Sequence, residues 1–522
     1  MNWKQFKNLS SGEKLKESHF MLGIDLGNAT SSIAFYDCLR GAPELIDISG
    51  GYGKPSVPTV MQYIPETKEW VFGEYAVLNK GLGRDVTLRY LIEKLGRKEY
   101  IDVGSRAVSN VNILSIYLKE LIGSIKNINP KAEIVGIVAS VPAYMGEDAK
   151  EELMWAFKAA GYEKEMISFI SDRECVFNRF FFDRESAGER LLLLDFGSRE
   201  LRGGLYETQG GKGTLRCAAS LFDYGLGAKK LEDALFAMFT DAYRENFSLK
   251  ADLPSQTKDQ IYSFMYQHKD MLFQKKIAHK PVRLYFNFTY PPFQKSINAK
   301  DMEQIIAPFK AGFSSFVNAV IERGGGRGRI DTVLCVGGGF EMLWAKDAIT
   351  GLFPESGVYF FKNAKGVIAE GAALAAAAAL GVTDGAGFII EDLNQMKFDI
   401  GIQVRKEHKE RFVPIIERNS FWWQERAPQF LMLNTDTAGA AVIGLYRRDE
   451  NGETALLKDL ALRGLPLRPR GTLRMKLRAS MRRFDELTLQ MCDDGFGDFF
   501  PKTDYELTER IEIPRYRRGE QT

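Results

Sequence analysis

An apolar run that breaks at Asp-x-Gly and then resumes occurs twice in this chain, 170 residues apart. The first copy is Met21-Leu22-Gly23-Ile24-Asp25-Leu26-Gly27-Asn28-Ala29-Thr30, and the second is Leu191-Leu192-Leu193-Leu194-Asp195-Phe196-Gly197-Ser198-Arg199-Glu200. Each pattern predicts a strand, a tight turn and a second strand, over 21–37 and 191–206. Between them Ile134 to Ser140 is a β-branched apolar strand closed by Val141-Pro142-Ala143-Tyr144, and 147–160 has helical periodicity. After the second copy, helical stretches are predicted at 227–245, 257–275 and 301–322. The strand Thr332 to Val336 follows, then the turn Gly337-Gly338-Gly339 and another helix. Gly366 to Leu380 is an alanine-rich helix, a composition suited to close packing. Strands followed by helices, twice over, predict α/β layers arising from an internal duplication.

The pattern changes after Gly381. Val382 to Gly387 is rich in glycine, and Phe388-Ile389-Ile390 reads as a short apolar linker. From Phe398 onward, alternation in period two predicts strands at 411–417, 429–433, 440–446, 472–478, 484–491 and 507–513. That is an all-β, sandwich-like unit. The expected organisation is a polar extension (1–20), a first lobe (21–187), a second lobe (188–381), a linker (382–397), a β-sandwich (398–515) and a tail (516–522).

Composition narrows the function classes. A chain of 522 residues exceeds one compact core. A net charge of +2 gives no reason to expect nucleic acid or an anionic membrane as partner. The five cysteines include no C-x-x-C pair, which argues against zinc and for reduced thiols in a cytoplasmic setting. The N-terminus lacks the apolar core of a secretory signal, and no run approaches the ~18 apolar residues of a membrane span.

The chemistry suggested by the hairpins is a two-lobed phosphate clamp. Glycine lets backbone N–H groups approach phosphate oxygens, and the carboxylates of Asp25 and Asp195 are candidate holders of a hydrated metal.

Six ordered segments, spanning Met21 to Ile513, resemble the DnaK-like seventy-kilodalton heat-shock chaperone family. Gly23 to Gly27 resembles its first phosphate loop, Val141 to Gly161 the inter-lobe segment, and Asp195-Phe196-Gly197 its second phosphate loop. Val336 to Gly339 resembles the adenosine loop, and Glu370-Gly371-Ala372-Ala373 the segment packed beside it. The stretch from Gly464-Leu465-Pro466 to Pro469-Arg470-Gly471 resembles a turn of the peptide-binding sandwich. The resemblance implies an α/β actin-like (ribonuclease H-like) two-lobed nucleotide-binding domain followed by an all-β sandwich, without the family's helical lid. It implies ATP/ADP with Mg2+ as cofactor and a polypeptide partner. The implied nucleotide contacts are Gly27, Asn28, Gly197, Ser198, Lys269, Gly337, Gly338 and Gly371. Asp25 and Asp195 are the implied metal holders, with Asp172 and Asp195 as catalytic carboxylates.

The departures from that pattern weaken the implied activity. Ala29 lacks the hydroxyl expected beside Asn28. Ser198, Arg199 and Glu200 stand where the family has two glycines and a threonine, so Cβ atoms and an anion occupy the phosphate space. Arg202 matches a family aspartate, Glu341 the pocket arginine and Lys365 an acidic residue. The catalytic lysine is matched by Ile92. On a helical reading of this stretch Lys94 faces away and Arg89 is the better replacement cation. In the β region Ile402, Met432 and Val442 match the peptide-pocket positions. Gly444 replaces an aliphatic, and Arg405-Lys406-Glu407-His408-Lys409-Glu410-Arg411 makes a charged loop. The expected function is a chaperone-family protein with nucleotide binding and weak or absent hydrolysis, its sandwich binding a polypeptide. The alternative is a nucleotide-independent pseudo-ATPase scaffold; an actin-like cytoskeletal protein and a sugar kinase are further rivals.

Overall fold

The computed structural model describes residues 19–38, 40–49, 54–78, 86–103, 106–184, 188–208, 213–274, 281–326, 328–383, 387–392, 394–406, 409–422, 426–435, 439–483 and 486–513. Most of the polar extension (1–20) and all of the tail (516–522) expected from the sequence lie outside these. The chain divides into a larger unit, the residues up to Glu391 apart from 144–146, and a β unit from Asp392 onward.

Two sheets organise the larger unit, and they repeat one topology. In the first, the strands run in the order Ile167–Ser171, Glu133–Val141, His19–Leu26, Thr30–Asp37, Ala42–Leu45. The second runs Gly357–Phe360, Thr332–Val336, Arg190–Phe196, Leu201–Thr208, Thr214–Asp223, with Ile389–Asp392 at its edge. In both, the first three strands are parallel and the next two antiparallel. The two hairpins therefore occupy equivalent central places.

The unbroken apolar runs have a physical reason. A central strand covered on both faces needs apolar side chains at every position rather than at alternate ones. Leu192 and Leu194 enter one core, with Phe239, Phe313 and Phe340, while Leu191 and Leu193 enter another, with Phe177 and Tyr206. One strand thus serves two cores.

The alanine-rich helix Val367–Ala379 packs against strand His19–Leu26 and helix Asp172–Phe181. Its approach depends on two glycines. A Cβ on Gly23 would lie 2.2 Å from the Ala369 carbonyl oxygen, and one on Gly371 only 1.8 Å from that of Cys175. Helix Asp172–Phe181 starts at a capping box in which Ser171 and Glu174 each satisfy the other's backbone N–H.

The linker expected at 382–397 begins as part of the larger unit. Phe388 stacks on Phe181 at 4.8 Å. The buried Asn178 accepts the N–H groups of Gly387 and Phe388, each at 3.1 Å, and Ile389 N–H donates to Gly213 at 2.7 Å. An aromatic ring and three backbone donors find partners here, so these residues do not behave as a free connector.

The β unit holds two four-stranded antiparallel sheets. One contains Asp399–Lys406, Lys409–Ile416, Ala441–Arg448 and Thr454–Leu462; the other contains Gln429–Leu433, Leu473–Arg483, Glu486–Asp493 and Glu506–Glu512. Alternate residues of both sheets, among them Ile400, Leu445, Leu431, Met475 and Leu487, share one core. The turn preceding Leu473 is anchored by Arg468, whose guanidinium grips the fully buried Asp493 carboxylate with two hydrogen bonds, at 3.0 and 2.6 Å.

Candidate functional site

The two hairpins close in the same way. Gly27 N–H donates to Thr30 O at 3.1 Å, and Gly197 N–H donates to Glu200 O at 3.0 Å. Each hairpin places one residue directly across from its aspartate: Ser32 opposite Asp25, and Arg202 opposite Asp195. Directly opposite residues share a face with Cβ atoms about 5 Å apart, so their side chains must interact. The two hairpins thus differ in what faces the aspartate, a hydroxyl in the first and a guanidinium in the second.

In the second half, Arg202 sits at the centre of a buried acidic cluster. Its Nη2 donates to Asp195 and its Nη1 to Asp172, and its Nε lies 3.7 Å from Glu200 Oε1. Asp172, Asp195 and Glu200 are all buried. Asp172 is the first residue of its helix and also accepts from the backbone N–H of Arg173 at 2.7 Å. In the first half, Ser140 Oγ donates to Asp25 at 2.9 Å. Burial pushes the Asp25 carboxyl up to about 7, despite that hydrogen bond, with Asp195 and Asp172 adding to the rise. Burial also raises Asp195, although the Arg202 charge opposes it.

Beside this cluster a cleft enclosing about 160 Å³ is lined by Asn28, Ser198, Lys269 and Gly338, four of the residues implied as nucleotide contacts. Gly27, Gly197, Gly337 and Gly371 are not among its lining residues. Gly27 and Gly197 make the hairpin turns described above. Gly337 has φ +89°, and a Cβ there would lie 2.5 Å from Asp195 Oδ1. Gly371 is spent on helix packing. The surviving glycines are thus largely accounted for by close backbone contacts.

The cleft cations come paired. Lys54 bonds Glu74 at 2.8 Å, Tyr266 OH also donates to Glu74 at 3.2 Å, and Lys365 bonds Glu341 at 2.8 Å. Positions 341 and 365 carry charges opposite to those of the resembled family, and they pair with each other. Lys269 pairs with Glu232; burial alone would lower its pKa, but the carboxylate more than offsets this. The first two N–H groups of helix Ala228–Asn246, natural phosphate donors, are taken by Gly197 O at 3.0 Å and Ser198 O at 2.8 Å. Asn28 Oδ1 is a buried atom with no hydrogen-bond partner among the described residues.

Residues 89–94 correct the helical reading. Arg89 ends the strand Val86–Arg89, Tyr90 takes a left-handed φ of +59°, and Ile92–Lys94 forms only a short 3-10 turn. Arg89 nonetheless lines the cleft, lying over the Tyr262 ring at 4.1 Å, while Ile92 is buried. Lys94 is held near Glu99 at 3.9 Å. No group of three or more His, Cys, Asp or Glu is placed to hold a metal ion among the described residues.

In the β unit the three implied pocket residues do not gather. Ile402 is 2% exposed and points into the core. Val442 and Met432 are 68% and 47% exposed, but they belong to different sheets. Gly444 makes room for the Tyr446 ring, which a Cβ would meet at 2.6 Å. The aromatic ring fills the place of the expected aliphatic. Of the charged loop, Arg405, Lys406 and Lys409 to Arg411 continue two paired strands, with Lys406 opposite Lys409. Glu407 and His408 lie outside the described residues.

Reading single residues did not reveal Lys54, Glu74 and Tyr266, because nothing in their spacing links them. The Asp195–Arg202 pair did leave a signal: both flank the turn symmetrically, which sets them opposite each other once the hairpin is recognised.

The arrangement defines a mixed α/β unit with a repeated sheet topology, an arginine-filled acidic cluster and an adjoining cleft. Two family models match parts of the chain. One is described as a family of unknown function (DUF5716), C-terminal, over residues 42–209, and the other as a domain of unknown function (DUF8552) over 395–513. No curated protein matches the chain. No helix of the described residues is long and apolar enough to cross a membrane.

Proposed function

We propose that this chain is a DnaK-like protein of the actin-like, ribonuclease H-like class whose two-lobed unit serves as a scaffold without turning over nucleotide. Its β-sandwich binds a polypeptide partner. The observation that carries this reading is Arg202 between Asp172 and Asp195. A hydrated Mg2+ at the second clamp needs the Asp195 carboxylate, and a guanidinium already neutralises it. Both carboxylates able to act as base are held by the same cation, so neither is free to take a proton from an attacking water or a sugar hydroxyl. The residues do not fit a metal–nucleotide at this clamp. The paired cleft charges point the same way, since four cations (Lys54, Arg89, Lys269, Lys365) face four acids (Glu74, Glu232, Asp270, Glu341) among the lining residues.

For the polypeptide, the supporting surface is the outer face of the sheet containing Val442. Val442 and Leu456 are exposed there, beside Tyr446, which pairs directly with Leu456. An extended apolar peptide suits such a face.

A second reading, nucleotide binding without hydrolysis, is favoured by the shared cleft of Asn28, Ser198, Lys269 and Gly338. Thermal denaturation with Mg-ATP, Mg-ADP and no nucleotide separates the two. A scaffold shows no shift, whereas a ligand at a hundred times its Kd stabilises by about 2.7 kcal/mol. ATP turnover that collapses in Asp25→Ala would overturn both. A peptide array probed with the full chain tests the partner reading, with capture expected to fall in Val442→Trp.

A further inference from the structure

A second cavity, of about 620 Å³, shares Arg89 and Tyr90 with the cleft as a common wall, and its charge is of a different kind. Six cations line it, Arg89, Lys94, Arg97, Arg199, Lys229 and Lys230, against two acids, Glu93 and Glu99. The lining therefore carries a net charge of +4, where the neighbouring cleft is balanced. Lys94 and Arg97 share Glu99, at 3.9 and 3.7 Å, and Lys229 bonds Asp233 at 2.6 Å. Arg199 and Lys230 have no ion-pair partner among the described residues. Arg199 lies over the Tyr224 ring at 4.8 Å.

Arg89 also lies 4.0 Å from Asp259, which leaves the unpaired charge of the lining on Arg199 and Lys230. Lys229 and Lys230 occupy the first turn of helix Ala228–Asn246, the positive end of its dipole; that turn holds no acidic residue, and Asp233 one turn further on pairs with Lys229 alone. Arg199 adds a third cation from the turn of the second hairpin. Tyr90 holds a left-handed backbone that a bulky residue rarely adopts, and its ring lies 5.3 Å from Lys229 Nζ. A cavity whose lining carries an excess of one sign concentrates counter-ions.

We propose that this cavity binds a compact polyanion, a small molecule bearing clustered phosphate groups. The guanidinium groups of Arg199 and Arg97 suit forked contacts to phosphate oxygens, and the lysines act as point charges. The volume is that of a small-molecule site. The turn of the second hairpin thus supplies a cation, Arg199, to the neighbouring cavity. The inference stands apart from the scaffold reading, which rests on Arg202.

Isothermal titration of the full chain with tripolyphosphate and, separately, with inositol hexakisphosphate tests it and distinguishes an inorganic chain from a polyphosphorylated organic ligand. Saturable binding of either, weakening as salt rises and about tenfold or more weaker in Arg199→Glu and in Lys230→Glu, is expected. The control Lys310→Glu, outside the cavity lining, should bind as the wild type does. If Arg199→Glu does not fold, Lys230→Glu at its exposed site carries the test. Absence of saturable binding for both probes, or binding that neither charge reversal weakens, overturns the proposal.

Discussion

Arg202 stands directly across the second hairpin from Asp195, and its guanidinium binds that carboxylate where the equivalent position of the first hairpin, Ser32, faces Asp25. The protein carries its own cation inside the clamp. Arg202→Ala should therefore remove the cation shared by the buried Asp172, Asp195 and Glu200 and cost about 3–5 kcal/mol in denaturant unfolding. Millimolar Mg2+ should restore part of that loss in the variant and leave the wild type unchanged. Equal responses to Mg2+ would show that Arg202 does not stand in for a metal.

Asp25 gives the larger unit a pH dependence of definite sign. Its carboxyl is raised from 3.8 to about 7 in the fold, so the folded chain keeps a proton that the unfolded chain releases. Stability from this group is therefore greatest below its ordinary range and falls as pH rises toward 7. Asp25→Asn, which keeps a partner for Ser140, should melt higher than wild type at about pH 8 and show a smaller gain at about pH 5. A gain independent of pH would contradict the raised carboxyl.

Asp493 has the opposite sign. Burial acts to raise its carboxyl, but hydrogen bonds from Gly495 and Thr503 and the charge of Arg468 outweigh it, leaving the group below the ordinary carboxylate range. The β unit should keep this stabilisation above about pH 4 and lose it as the pH falls further. Asp493→Asn strands a guanidinium only 5% exposed and should destabilise the β unit by about 3–5 kcal/mol at neutral pH. Chemical denaturation of the full chain, followed by hydrogen exchange in the β strands, reads this directly.

Gly371 separates packing from ligand binding. In Gly371→Ala the new methyl would meet the Cys175 carbonyl at 1.8 Å, so the helix must shift. Loss of about 3 kcal/mol or more is expected without any nucleotide present. A variant of wild-type stability would return Gly371 to the nucleotide-contact reading.

Much of the framework was legible along the chain. Leu191 to Leu194 reads as an apolar strand, and period-two alternation predicts strands at 429–433, 440–446 and 507–513, where Gln429–Leu433, Ala441–Arg448 and Glu506–Glu512 form. Thr454–Leu462 escaped notice because its first residues are largely exposed, with Leu456 facing outward. Residues 89–94 were misread as helix because their side-chain pattern does not reveal the left-handed Tyr90 that redirects the backbone. Ile402 matched a pocket position by alignment, yet its inward parity buries it. Local spacing could not foresee that Glu341 and Lys365, or Lys54 and Glu74, meet in one cleft.

The sequence by itself determined the duplication, the two glycine hairpins and the change from α/β to β architecture. These follow from short-range rules of periodicity, turn chemistry and strand burial. Only the tertiary structure decided what the hairpins hold. Charge pairing and backbone clearance act between residues far apart in the chain, so an arginine took the place between the clamp carboxylates, and Gly371 was committed to a helix crossing.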